Sequence, residues 1–251
     1  QLSAVSEAVF SNSLGSGTST SVGNTTGSTL GPNPLQNYYG GSKQQMLFSV
    51  AELNSLGLVN GSAITAIKLN LATADATLAL QNLVVKMKHS AFTTMNTWET
   101  GMTTVRTTAS YSPVVGLNTL TLTSSYVWNG TSNLVIEINY SNANSGTTGT
   151  TFNTAKYSAT TFLSTIFSGT PTSTYSQRND VTFDYINAST ITWSPLADLY
   201  SNPGATTAYT GTPAAIVYAK PSAAGIPAFT ATASNGTCSS TSSQQITVTD
   251  C

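Results

Sequence analysis

The residues able to do chemistry are few. His89 is the one histidine in the chain, so any Ser-His-Asp arrangement must run through it. It continues the two-residue phase of Leu83, Val85 and Met87, which places it at the core side of a strand end, where backbone groups satisfy it. A single histidine and two cysteines, Cys238 and Cys251, give no zinc spacing. Glycoside hydrolysis needs two carboxyl groups about 5–10 Å apart. Asp180 and Asp184 share a strand face but are separated by about 13 Å. The other acids, Glu7, Glu52, Asp75, Glu99, Glu137, Asp198 and Asp250, are scattered along the chain. The expectation is a protein without catalytic residues or cofactor. Oxygen-rich residues 128–133 could hold calcium, although Asn129 brings no charge there and Asn129-Gly130 is a strong hairpin-turn pair.

Aromatic side chains offer a different chemistry. A flat ring stacks on the apolar face of a sugar while amides bond its hydroxyls, and Tyr38, Tyr39, Trp98, Tyr111 and Trp128 are the candidates for such a ligand site. Against this, Trp98 and Trp128 also suit core anchors. Tyr38 and Tyr39 are neighbours, so in a strand one faces in and the other out.

Whatever positions these residues must be built with little charge. The 251 residues carry 8 basic and 9 acidic side chains, 7% of the chain, against roughly 25% in ordinary soluble domains. Ser, Thr, Asn and Gly take over the surface, as in extracellular β-proteins. Hydrophobic residues at 39%, with 11 Tyr, 8 Phe and 3 Trp, provide ample core. A net charge of -1 without a basic cluster excludes a phosphate-backbone partner, and no apolar run has the length of a membrane-spanning helix. Gln1 at the start, with no basic and apolar leader behind it, predicts an exported chain whose signal peptide has been cleaved.

The elements are strands. Ile67, Leu69 and Leu71 alternate with Lys68 and Asn70; Leu83, Val85 and Met87 with Val84, Lys86 and Lys88; Leu134, Ile136, Ile138 and Tyr140 with Val135, Glu137 and Asn139; Val181, Phe183 and Tyr185 with Thr182 and Asp184. This is the period of half-buried strands. Residues 11–31, rich in Ser, Thr and Gly, fit an edge strand with a wide turn better than a linker. One helix is predicted over 50–56, opened by the capping box of Ser49 and Glu52 and stopped by Gly57. Strands without alternating helices exclude a parallel α/β sheet.

The texture changes near Asn187. Residues 188–251 hold strand candidates at 216–219, 228–233 and 245–249 and suit a small immunoglobulin-like sandwich. The expected architecture is all-β: a large jelly-roll-like β-sandwich over 1–187, then the immunoglobulin-like domain over 188–251. In such a tail Cys238 falls in a hairpin connection and Cys251 beyond the far end. About 20 Å of extended chain stands against the 7 Å limit of a disulfide. A Cys238–Cys251 bond, free thiols and partners in further chain all remain open.

The stretches NYYGGSKQQMLFSVAELNSLGLVNGSAITAIKLNL, WETGMTTV and YVWNGTSNLVIEINYSNANSG resemble a module repeated in large secreted proteins of the Bacteroidota, over roughly residues 14–186. The tail is similar to the immunoglobulin-like or PKD-like repeats that follow such modules. The resemblance implies cargo of type IX secretion: adhesins, gliding-motility filament proteins, or accessory regions of secreted enzymes. The sorting domain of such cargo is not in the sequence, and Asn129 stands where the module commonly has Asp. The functional expectation is an extracellular, non-enzymatic structural or adhesion module at the cell surface. Its partners would be other copies or further domains of the same assembly. The alternative is a carbohydrate-binding module whose partners are glycans.

Overall fold

The computed structural model describes residues 4–5, 16–18, 27–29, 32–38, 40–75, 77–142, 151–159, 165–167, 173–234 and 239–249. Tyr39, Cys238 and Cys251 lie outside them, so the aromatic reading of Tyr39 and the disulfide alternatives do too. The described chain is all-β, with one short helix, Val50–Ser55. None of its helices is long and apolar enough to cross a membrane. It divides into two compact units, Ser16–Ile186 and Asn187–Cys251 together with Gln1–Gly15.

The large unit is a sandwich of two antiparallel sheets. One runs in the order Gln177–Asn179, Thr154–Ala159, Ala63–Thr73, Val181–Ile186, Ser16–Thr18, with Gly27–Thr29 added to Thr154–Ala159 and Gly116–Val127 to Ala63–Thr73. The other runs Ser173–Tyr175, Thr165–Phe167, Gly41–Phe48, Asn133–Ser141, Leu80–Ser90, Thr103–Tyr111. From Gly41–Phe48 to Thr165–Phe167 most connections pass from one sheet to the other. Asn133–Ser141, for example, inserts between Gly41–Phe48 and Leu80–Ser90, two strands that precede it in the chain. This is the crossing pattern of a jelly-roll-like sandwich. The Thr-rich stretch before residue 31 contributes Ser16–Thr18 and Gly27–Thr29, both on outer positions.

The core forms where the two-residue periods meet. Ile67, Leu69, Leu71, Leu83, Val85, Met87, Leu134, Ile136, Ile138, Val181 and Phe183 are buried in one cluster with Phe48 and Trp128. The helix is capped as the sequence predicts: Ser49 Oγ accepts from Glu52 N at 3.2 Å and Glu52 Oε2 from Ser49 N at 2.8 Å. Arg178 grips the same carboxylate through both its terminal nitrogens and also donates to Leu47 O. Gly57 stops the helix at φ +88°, and a Cβ there would stand 2.6 Å from Tyr185 Oη.

Asn133–Ser141 departs from the expected alternation, because Val135 and Glu137 are buried as well as the core-facing residues. The connection through residues 91–102 covers the outer face of the sheet, setting Phe92, Met95, Trp98 and Met102 around Leu47 and Val135.

The small unit has two three-stranded sheets, Thr190–Ser194, Ala228–Ser234, Ser239–Gln245 and Ala4–Val5, Tyr218–Ala219, Leu199–Tyr200. Trp193, Leu199, Tyr209, Val217, Phe229 and Ala231 form its core. Residues near the start of the chain therefore belong with the tail, since Ala4–Val5 pairs with Tyr218–Ala219. A two-residue strand has no period by which the sequence could announce it. The last strand lies at Ser239–Gln245 rather than at 245–249, because hydroxyl-rich SSTSSQQ lacks the β-branched pattern that marks strands. Val248 makes only an isolated bridge to Gly225.

Candidate functional site

The best-built polar surface lies on the outer face of the six-stranded sheet. Register places Gln45, Glu137 and Lys86 side by side across three strands, and Lys43 beside Asn139. Period two sends these side chains away from the core. Glu137, 3% exposed at its side chain, accepts from Gln45 Nε2 at 2.7 Å and Asn139 Nδ2 at 2.9 Å, and pairs with Lys86 at 3.0 Å and Lys43 at 3.5 Å. Burial alone would raise its pKa, but the hydrogen bonds from Gln45 and Lys86 and the charges of both lysines bring it below the ordinary value. Gln45 extends the network to the covering connection, accepting from Glu99 N at 2.7 Å and donating to Glu99 O at 2.9 Å.

Glu99 in turn takes Lys88 at 2.9 Å and Ser90 Oγ at 2.5 Å. Its pKa is also lowered: burial opposes ionisation, and bonds from Ser90, Lys88 and the Thr100 N–H outweigh it. Trp98 rides on this cover with Lys43 Nζ 4.3 Å from its ring centroid, a cation–π contact. Half-buried against Met95 and Val135, it serves as an anchor of the connection that still reaches solvent.

A second surface centres on Tyr38. Its ring is 43% exposed and meets Phe152, 40% exposed, at 5.3 Å between centroids with a 56° tilt. Buried amides hold the segment in place. Asn33 Nδ2 donates to Asn153 O at 3.0 Å, Asn153 Nδ2 to Leu35 O at 2.7 Å, Asn37 Nδ2 to Thr151 O at 3.1 Å, and Asn153 N to Asn37 Oδ1 at 2.8 Å. The pair of rings is thus presented on a fixed support.

The five aromatic candidates do not occupy one element. Tyr38 is solvent-facing and Trp98 partly so. Tyr111, half-buried against the core, gives its hydroxyl to Asn118 Oδ1 at 3.2 Å, and burial raises its pKa. Trp128 corrects the expectation: it is wholly buried and donates to Ser132 O at 2.8 Å, so it has no face to offer a ligand. Its burial follows from its place between the turn and Ser62, whose carbonyl accepts from Trp128 N at 2.8 Å.

The residues weighed for catalysis are each engaged. His89 Nε2 accepts from Asn129 N at 3.2 Å, and burial, partly countered by a bond to the Val127 backbone, lowers the ring's pKa. Asp180 accepts from Ser158 Oγ at 2.8 Å and Asp184 pairs with Lys68 at 2.7 Å. Asn129 Oδ1 takes the N–H groups of Thr131 and Ser132, and Gly130 sits at φ +71°, so residues 128–133 spend this side-chain oxygen on a turn. Among the described residues no group of three His, Cys, Asp or Glu side chains could hold a metal. Phe152 and the Gln45–Glu137–Lys86 row were not anticipated from sequence. Lys86 and Glu137 were visible as outward strand positions, but only the register brings them together.

Compared with protein-family models, with curated proteins and with solved structures, the chain finds no match in any of the three.

Proposed function

We propose that this chain is an extracellular, non-enzymatic module that builds or adheres at a cell surface. The observation that carries the reading is how its ionisable groups are spent. Acid–base catalysis needs a group poised to exchange a proton near the working pH. Glu52, Glu99 and Glu137 are shifted the other way, held as anions by hydrogen bonds and by their arginine or lysine partners, and His89 already uses Nε2 to accept from Asn129 N. Charge goes into fixing the sandwich, while Thr, Ser and Asn face the solvent. The resemblance to Bacteroidota secreted modules supports export and surface display, with type IX secretion as the route.

The test has two arms. Antibody labelling of intact cells of the native source should find the protein outside, and an intracellular pool alone would end the surface reading. A panel of glycoside, ester and peptide substrates should give no turnover with the wild type. Turnover that either His89→Ala or Asp180→Asn abolishes would overturn the non-enzymatic reading.

A second reading, glycan binding, is favoured by the exposed Tyr38–Phe152 pair on its amide-braced support. A glycan array probed with wild type and with Tyr38→Ala/Phe152→Ala separates the two. Binding lost in the double variant establishes a lectin-like surface, and an array without hits leaves the building role.

A further inference from the structure

The strand Ser239–Gln245 is exposed at all seven residues, on both faces. It stands last in its sheet and pairs only with Ala228–Ser234, in unbroken register from Ala228 opposite Gln245 to Ser234 opposite Ser239. Among the described residues, no other segment hydrogen-bonds to its outer edge. The opposite edge of the same sheet is treated differently. There Ile191 O accepts from Ala214 N at 2.8 Å and Trp193 N donates to Tyr209 Oη at 3.2 Å, so loop residues cover Thr190–Ser194.

Proteins blunt a bare edge with charge, proline, a bulge or a very short strand. SSTSSQQ has none of these: no charged residue, no proline, regular register and seven residues. Gln244 of this strand also borders an apolar pocket lined by Trp193, Leu199, Val217, Phe229 and Ile246.

We propose that Ser239–Gln245 is where two copies of this chain join, edge to edge and antiparallel, making one six-stranded sheet across a twofold axis. The strand's own chemistry selects a second copy. Pairing about Ser242 sets Ser239 against Gln245, Ser240 against Gln244 and Thr241 against Ser243. This register sets Ser242 against itself and Ser240 diagonally beside it, positions where a charge would meet its like; here there is no charge to repel. Hydroxyl pairing already joins this strand to its neighbour inside the sheet, where Thr230 Oγ1 and Ser243 Oγ meet at 2.7 Å. A chain of net charge -1 adds little long-range repulsion. One strand makes a small interface, so association depends on concentration. The inference rests on the building-module reading and supplies its joint.

Sedimentation of the full chain over a concentration series tests it, with amide exchange read alongside. The wild type should dimerise as concentration rises, and exchange should slow in residues 239–245. Ser240→Lys/Ser242→Lys and Ser240→Glu/Ser242→Glu, exposed positions that leave the fold intact, should each stay monomeric. Two charges per strand keep a slipped register from escaping repulsion. An equimolar mixture of the two variants should dimerise again. A wild type monomeric up to its solubility limit overturns the inference, as does a dimer that persists in both variants or leaves exchange at 239–245 unchanged. If monomeric protein still labels the cell surface, the joint is wrong and the surface role stands.

Discussion

The two units use the same residue vocabulary and reach different degrees of closure. In Ser16–Ile186 both sheets press on one continuous core, and even the outer face of the six-stranded sheet is roofed by residues 91–102 around Met95 and Val135. All ion pairs among the described residues lie in this unit. The small unit has six buried residues in its core cluster, no ion pair among its described residues, and a strand exposed at all seven of its residues. A sandwich of hydroxyl-rich strands becomes self-sufficient when its few charges and its connections cover what the strands leave open. Where they do not, an edge stays available.

The largest effect should come from the centre of the closed unit. Trp128→Ala removes a fully buried indole and should cost about 3–5 kcal/mol, read as a lower urea midpoint for the large unit. Trp193→Ala, whose indole donates to Ala214 O at 2.9 Å, should cost about 3 kcal/mol. Because the small core is thin, that variant should lose the small unit's transition while the large unit's remains. A single transition shifted by both variants would break the comparison.

Acid should also separate the units. Glu52, Glu99 and Glu137 have folded pKa values below 4.5. Their contribution is complete above the unfolded value and is lost as pH falls through the folded ones. His89, depressed from 6.5, acts in the same sense, its share fading as pH drops below that value. The large unit's midpoint should therefore fall on acidification, and the small unit's should move less. Glu137→Gln should flatten this dependence. It should cost about 2 kcal/mol, short of a fully buried pair because Lys43 and Lys86 keep contact with water.

Gly57→Ala forces a side chain to φ +88° and to 2.6 Å from Tyr185 Oη, for about 1–3 kcal/mol, measurable by thermal unfolding of the large unit. The smallest change belongs to Tyr38→Ala, which forfeits an exposed ring contact worth about 0.5–1 kcal/mol. It should appear as a slight fall in the large unit's urea midpoint.

Much of the large sandwich was legible because burial writes a period of two: Ile67-Leu69-Leu71 and Leu83-Val85-Met87 face the core as their spacing predicts, and Ser49 and Glu52 form the capping box. What escaped was whatever depends on partners far apart in the chain. Val135 and Glu137 look outward by phase and are buried only because residues 91–102 return over them. Trp128 could be weighed as ligand platform or core anchor, and only the closed sandwich decides for the anchor. The Gln45–Glu137–Lys86 row needs three strands in register, information that no single strand carries. Ser239–Gln245 lacks any apolar phase at all.

The pairing of Ala4–Val5 with Tyr218–Ala219 has a mechanical consequence. The chain leaves the small unit after its first strand, runs through the whole sandwich, and comes back, so the sandwich is spliced into a loop of the smaller body. A pull that draws Ala4–Val5 away from Tyr218–Ala219 is resisted first by the hydrogen bonds joining those two short strands. Two residue pairs part at low load. Stretching a single molecule by handles at Ala4 and Ala219 should give a small early release as Ala4–Val5 peels away, and only afterwards the larger rip of the sandwich.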